Sequence, residues 1–298
     1  MHNSQGNIRL SIVSVNFNGL NDTLALLASL EEHLREFPYE VVVVDNGSTI
    51  DEAQTIRTAF PKAVVLRSEK KLGFAGGNNL GIEKAKGKYL FLLNNDTVLS
   101  DNGVLKLMQR MDETPSIGII SPKIRFYDEE QPIQFAGYTA QTKITLRHNL
   151  IGYQEPDKGQ YDQAKPTPYV HGAAMLVRRS AIDRAGMIPE IFFLYYEELD
   201  WCERFTEAGY TLWYDPASTV FHKESQSTGQ NSPLRMYYLT RNRLLFAYRN
   251  RSGIVCLAAL LYQFALANPL KYLQLLSKRQ WKHAASIRKG CYDFFKII

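Results

Sequence analysis

Asn94-Asn95-Asp96-Thr97 interrupts the most hydrophobic run of the chain, Tyr89 to Leu99. Asn and Asp are common turn formers, so a plain turn accounts for the break. A carboxylate beside two amides at the end of a rigid apolar strand has a second use. Mg²⁺ and Mn²⁺ take one or two carboxylates and complete their shell with substrate phosphates. On that reading Asp96 is a metal ligand, with oxygen ligands and amide donors on Asn94 and Asn95. His222, in STVFHKES, is either a satisfied strand-end histidine or a further ligand, because imidazole also binds such ions. Asp45, in VVDNGST, is either the acceptor of an Asx turn or a contact for a base-ring N–H or a ribose hydroxyl. GFAGGNN, Gly73 to Asn79, is either a tight strand-to-helix turn or a backbone cradle for an anion; it is neither G-x-G-x-x-G nor a Walker sequence. YEELDWCER carries Glu197, Glu198 and Asp200. Acids in a first helical turn complement the helix dipole. Three within four residues, after the aromatic FFLYY, exceed that need. Aromatic surroundings disfavour an ionised carboxylate and raise its basicity, which suits removal of a proton from a sugar hydroxyl.

These residues need elements to hold them. LSIVSVNF, YEVVVV, AVVLRS and YLFLLNN are short apolar runs that read as buried strands. Between them NGLNDTLALLASLEEHL, Ile50 to Phe60 and the segment after GFAGGNN read as helices, the first capped by Asn21 or Asp22. Strands apolar throughout and alternating with helices imply a parallel sheet covered on both faces. In such sheets ligands bind beyond the carboxyl ends of the strands. Three of those ends carry the polar groups: Asn16 and Asn18, Asp45 to Ser48, and Asn94 to Thr97. Residues 101 to 114 predict another helix. Residues 121 to 168 show no lasting period and read as loops with short strands. HGAAMLVRR predicts a strand, the acidic segment a helix stopped at Gly209, and TLWYDPASTVFH a strand pair or strand-turn-strand.

The chain has 298 residues, 45% hydrophobic and 22% charged, enough for one large domain with an appendage. A net charge of +5 is too small to favour nucleic-acid binding. The charge is uneven: from Arg235 to Lys296 there are twelve Lys or Arg and one acid, Asp293, so the remainder is acidic. Three widely spaced cysteines suggest a reducing compartment. The N-terminal segment has no basic stretch followed by an apolar run, so no signal peptide is expected and the body is expected to be cytoplasmic. IVCLAALLYQFALA, Ile254 to Ala267, ends before Asn268-Pro269 and is shorter than the roughly 20 residues of a spanning helix. With the basic amphipathic segments around it, it predicts a membrane-surface or partner-binding appendage.

In order along the chain, SIVSVNFNG, VVVVDNGSTID, LGFAGGNNLGIEKAKGKYLFLLNNDT, GAAMLVRRSAIDRAG, FFLYYEELDWCERFTEAGY and VFHKES resemble the inverting glycosyltransferases of family two. The resemblance covers about residues 8 to 250 and is greatest to the bacterial branch with rhamnosyltransferases and related cell-surface polysaccharide enzymes. It implies an α/β GT-A fold with a mostly parallel central sheet flanked by helices, here with a helical basic C-terminal appendage. It implies a catalytic domain over 1–232, with a nucleotide-sugar half at about 8–100 and an acceptor half at about 101–232, and a C-terminal region over 233–298. Asn94-Asn95-Asp96 stands where the family has Asp-x-Asp, with Asn in place of the first acid and one carboxylate left. Asp45 matches the base- or ribose-contacting acid. The loop with Gly73, Gly76, Gly77 and Asn78 matches the nucleotide-side loop, and Asn16, Asn18, Asn46 and Gly47 join it at the strand ends. Glu198 matches the general base, usually Asp, with Asp200 as the fallback. His222 matches a histidine that reaches the metal in some relatives.

The implied reaction moves a sugar, with inversion, from dTDP-rhamnose or a UDP-hexose to a hydroxyl of a saccharide or lipid-linked acceptor, with Mg²⁺ or Mn²⁺. A non-catalytic nucleotide-sugar-binding scaffold of the same fold is the alternative. A nucleotidyltransferase would need a basic glycine-rich loop after the first strand, and NFNGLNDT has no Lys or Arg. For residues 234–298 the alternatives are peripheral contact with the inner face of the cell membrane and self-association, as in a homodimer.

Overall fold

The first half of the chain folds as its hydrophobic pattern dictates. In the computed structural model, which describes residues 8–224 and 232–298, β1 (Leu10–Asn16), β2 (Tyr39–Asn46), β3 (Val64–Ser68) and β4 (Tyr89–Asn94) lie parallel in the order β3-β2-β1-β4. Val41, Val42, Val43 and Val44 are all buried, because helices cover both faces of the sheet. Helices α1 (Leu20–His33), α2 (Glu52–Ala59) and α3 (Gly73–Lys84) make the crossovers. Asp51 caps α2 by accepting from the Gln54 N–H. Helix α3 sits unusually close to the sheet: a Cβ on Gly81 would lie 2.3 Å from Val13 Cγ1, and one on Gly77 2.8 Å from Val15 Cγ1. The parallel register brings Asn16 beside Asp45 and Val15 beside Asn94, so the polar strand ends share one edge.

The second half departs from the pattern. After β5 (Thr97–Leu99) and α4 (Val104–Glu113), β6 (Ile117–Phe126) crosses the middle of the sheet. It runs into the region expected to be loops. Pro122 and the buried polar Ser121 and Lys123 disguise it in the sequence. The Lys123 ammonium is paired with Asp157 at 3.0 Å and with Asp162, which makes its burial tolerable. Strand β7 (Ile133–Phe135) pairs with β6, and β8 (Lys165–Pro166) pairs with β10 (Thr211–His222). Strand β9 (Ala174–Arg178) is inserted antiparallel between β4 and β6, so the sheet is mostly parallel, not wholly so. Helices α5 (Arg179–Ala185) and α6 (Glu197–Glu207) follow. TLWYDPASTVFH, expected as two strands, is the single strand β10, with a break in register between Asp215 and Thr219.

Helix α7 (Pro233–Asn250) opens the expected appendage, yet Leu244, Leu245, Phe246 and Ala247 share one buried cluster with Trp201, Cys202 and Phe205 of α6. The apolar run after it does not stop at Asn268-Pro269 as expected. Helix α8 (Gly253–Tyr262) passes through a π turn (Gln263–Ala267) into α9 (Asn268–Ser277), giving 25 continuous helical residues, long and apolar enough to cross a membrane. Pro269 follows directly on the π turn, where the regular i to i−4 ladder is already interrupted and the Asn268 N–H reaches back to the Gln263 carbonyl. Helix α10 (Trp281–Phe294) folds back onto α7. The N-terminal residues 1–7 and Ser225 of the VFHKES motif lie outside the described residues.

Candidate active site

Asn16, at the end of β1, is buried and fully occupied by protein partners. Its amide donates to Glu52 Oε2 at 2.7 Å and lies 3.3 Å from Asp45 Oδ1, and its carbonyl oxygen accepts from Thr23 Oγ1 at 2.8 Å. Glu52, which sequence reading missed, also accepts from the Gly19 N–H and the Ser48 hydroxyl, both at 3.2 Å. Asn18 takes a positive φ and bonds the Thr49 N–H through Oδ1 at 2.8 Å. Both asparagines thus shape the strand-end loops from within. Asp45 differs. It is fully buried and among the described residues its Oδ2 accepts no hydrogen bond; the Arg67 guanidinium stands 3.6 Å away and is itself engaged with Asp51 at 2.8 Å. A buried carboxylate oxygen without a donor is costly, and a ligand N–H or hydroxyl would relieve that cost.

Asn46 binds the glycine loop from both sides of its amide: Nδ2 donates to the Gly73 carbonyl at 2.9 Å, and Oδ1 accepts from the Leu72 N–H at 2.8 Å. Gly47 (φ +78) abuts the Lys70–Lys71 backbone. Gly73 (φ +74) leaves no room for a Cβ, which would sit 2.2 Å from the Phe193 carbonyl oxygen. The space beside Gly76 and Gly77 is filled by Leu72 and Val15, and Asn78 donates to the Phe74 carbonyl at 2.9 Å. These glycines serve close packing of α3, as the tight strand-to-helix turn requires. Asn79, another residue missed in the sequence, joins α3 to the acidic loop by donating to the Ile188 carbonyl and Glu190 Oε1.

The Asn94 to Asp96 turn splits its roles. Asn94 is tied by its backbone to Ala173, and Asn95 turns inward to donate to the Gly19 carbonyl at 3.2 Å and Thr23 Oγ1 at 3.1 Å. Asp96 and His222 meet as expected, with Oδ1 and Nε2 3.1 Å apart and both side chains buried. Gln134 faces His222 Nδ1 at 2.8 Å and orients the ring, as outer partners of metal-bound histidines do. A carboxylate oxygen and an imidazole nitrogen so arranged fit a Mn²⁺- or Mg²⁺-type ion. No third His, Cys, Asp or Glu joins them among the described residues, so water and substrate oxygens would complete the shell. His171 lies against His222, ring centres 6.2 Å apart, and burial followed by that neighbour pushes its pKa down to about 3.

The acidic loop is strained. Phe193, Tyr195 and Tyr196 all have positive φ, a conformation that costs such residues free energy and clusters at functional sites. Helix α7 holds it. The Asn242 amide, buried, donates to the carbonyls of Phe192, Leu194 and Tyr195 at 2.9, 2.7 and 2.8 Å, and Arg241 reaches those of Ile191 and Phe192. Arg243 donates to the Tyr196 hydroxyl at 2.8 Å. Sequence reading missed all three, because α7 lies about 50 residues downstream. Asp200, the fallback base, is engaged by other side chains. It is buried and accepts from Arg249 through both oxygens, at 2.9 and 3.2 Å, and from Asn250 at 2.7 Å. Its carboxylate is a tie between α6 and α7. Glu198 instead lies by Gly172, where a Cβ would be 3.9 Å from its Cγ. Burial raises its pKa, with its own and Tyr196's backbone N–H groups acting the other way. Glu197 is buried with Oε2 unbonded; burial and the Glu198 charge hold its carboxyl well above the ordinary range. Gly172 follows His171, whose ring meets that of His222, and precedes Ala173, which bonds Asn94. One loop thus connects Glu198 to the Asp96–His222 pair.

Residues 11–186 match the family described as glycosyl transferase family 2. The chain belongs to that family. It is 26% identical over 241 residues to the low-salt glycan biosynthesis hexosyltransferase Agl10 of Haloferax volcanii, covering 79% of this chain and 74% of that protein. It is 24% identical over 265 residues to the N-acetylglucosaminyl-diphospho-decaprenol L-rhamnosyltransferase of Mycobacterium tuberculosis, covering 82% and 85%. The mannosyltransferase of Pyrobaculum calidifontis, solved with GDP-Man and Mn²⁺, superposes with a TM-score of 0.60 over 98% of this chain and 88% of that one, at 15% identity. The family two member described here has the GT-A fold that its sequence motifs imply.

Proposed function

We propose that this glycosyltransferase moves a sugar, with inversion, from a nucleotide-diphosphate donor (dTDP-rhamnose or a UDP-hexose) to a hydroxyl of a lipid-linked saccharide in cell-surface polysaccharide synthesis. The observation that carries it is that one short loop, His171–Ala173, lies against both a basic carboxylate, Glu198, and the Asp96–His222 pair. Asp45 receives the base or ribose on its unbonded oxygen. The Glu198 carboxylate takes the proton of the acceptor hydroxyl. That oxygen forms its bond to the anomeric carbon as the bond to the diphosphate breaks, and the electron pair leaves with the nucleoside diphosphate. Asp96 and His222 would hold Mg²⁺ or Mn²⁺, which offsets charge on the departing diphosphate. The Mycobacterium relative's named substrate, a sugar on diphospho-decaprenol, supports a lipid-linked acceptor here.

Such an acceptor sits in a membrane, and the C-terminal helices supply a surface for one. Ile254, Leu257, Leu261, Leu266, Leu270 and Leu273 are all exposed. Their spacing is 3, 4, 5, 4 and 3, and the five-residue step falls across the π turn, which keeps them on one face. The opposite side packs on the body through Ala259, Gln263 and Leu275. A helix attached along its length lies on a bilayer more readily than it crosses one, so the chain is read as peripheral at the inner face of the cell membrane. The test is the thermal midpoint against UDP-, dTDP- and GDP-sugars, with Mn²⁺ and with EDTA. One nucleotide should raise it in a metal-dependent way. No shift with any of them, in folded protein, overturns the reading.

A further inference from the structure

A groove of about 560 Å³ lies between α7, the α8–α9 helix, α10 and the loop at Arg147. Its walls have two characters. Leu239, Leu266 and Leu270 make an apolar strip, and Leu270 belongs to the exposed leucine face described above. Arg147, Arg243 and Lys271 bring three cations, and among the described residues no carboxylate lines the groove. None of the three is ion-paired among the described residues; Arg147 approaches the Tyr262 hydroxyl at 3.5 Å and Lys271 bonds Gln274 at 3.0 Å. Arg243 commits its Nε to the Tyr196 hydroxyl at 2.8 Å, two residues before Glu198. Burial and the nearby Arg243 charge together lower the pKa of His148, whose ring packs on Tyr138 with centres 4.8 Å apart. Tyr138 in turn lies within reach of the Glu198 charge. The groove therefore runs from the leucine face to Arg243, which is bonded to the loop that carries Glu198.

Three unpaired cations beside an apolar strip match an anion joined to a hydrocarbon. Arginine forks and a lysine ammonium suit phosphate oxygens. We propose that this groove binds the diphosphate and the first isoprene units of a polyprenyl-diphosphate-linked acceptor. The site deepens the transferase reading and rests on it for the identity of the acceptor. The diphosphate meets Arg147, Arg243 and Lys271, and the chain leaves along Leu266 and Leu270 toward the bilayer. The acceptor is thereby held at the junction between its carrier and its sugar, the end that must face Glu198.

The test measures binding of farnesyl diphosphate, farnesol and inorganic diphosphate to the full chain in EDTA, so that a metal-dependent donor site does not capture the diphosphate. The wild type should bind farnesyl diphosphate at least tenfold more tightly than either half-ligand. Arg147→Glu with Lys271→Glu, both on exposed side chains, should weaken it at least tenfold while the melting temperature and the donor-induced shift stay as in the wild type. Equal affinity for farnesol or for inorganic diphosphate, unchanged affinity in the double variant, or no binding at all overturns the groove. If the donor shift is present and the groove fails, the transferase reading survives without it. If the groove binds as expected and no nucleotide sugar shifts the midpoint, the site stands and the transferase reading falls.

Discussion

The polar strand-end edge, proposed above as the donor site, and the acidic loop solve one problem in two ways. At that edge, polar residues sit on the ends of buried parallel strands, and the sheet register alone brings Asn16, Asp45 and Asn94 together. The acidic loop has no such frame. It bends through three non-glycine residues at positive φ and is held from outside by Arg241 and Asn242 of α7. A site on strand ends keeps its shape when one contact is lost. A strained loop relaxes when its clamp goes, because the strain persists only while the surroundings over-determine it.

The sharpest way to separate the two regions is Glu198→Gln. Transfer should fall by roughly 10²–10⁴-fold, the usual contribution of a general base, while the donor-induced thermal shift remains. In the unsubstituted enzyme, kcat/KM should rise with pH through a limb above the ordinary carboxylate range, because burial disfavours the charged form of Glu198. A limb at the pKa of a free carboxylate would move the base elsewhere.

Asn242→Ala tests the clamp. Three carbonyls lose their donor, which should cost about 2–4 kcal/mol of stability. In protein still folded at low temperature, kcat should fall with donor affinity unchanged. An equal loss of donor binding would show that the two regions are not separable. Asp45→Asn should do the reverse, weakening donor binding by about tenfold, a loss of about 1.4 kcal/mol, and leaving kcat at saturating donor nearly unchanged.

Glu197 gives the smallest and most specific effect. Its folded-state pKa is raised, so its contribution is fully present below the unfolded carboxylate pKa and is lost as pH rises through the folded value. Glu197→Gln, which cannot ionise, should therefore flatten the decline of stability on the alkaline side of that range. Urea midpoints across pH would read it, and identical slopes in both proteins would refute the assignment.

Much of the first half was legible because its forces are local. Four apolar β-branched runs and the helical repeats between them predict β1 to β4 and their helices. The polar punctuation at Asn16, Asp45 and Asn94 to Asp96 marks the edge that these strand ends share. Strand β6 was hidden because Lys123 looks like a surface residue until Asp157 and Asp162 neutralise it. Helix α9 was hidden because Pro269 looks like a stop until its place just after a π turn of a continuous helix is known.

By itself the sequence determined the alternation of strands and helices, the family, and which residue types stand at the strand ends, since these depend on near neighbours and on spacing. Only the tertiary structure decided their surroundings. Asp200 and Glu198 stand two residues apart in one helical turn and look alike as letters. One is neutralised by Arg249 and Asn250 from α7, and the other is left beside Gly172 with its basicity raised by burial. Charge state depends on what surrounds a carboxylate in space, and those partners lie about 50 residues away along the chain.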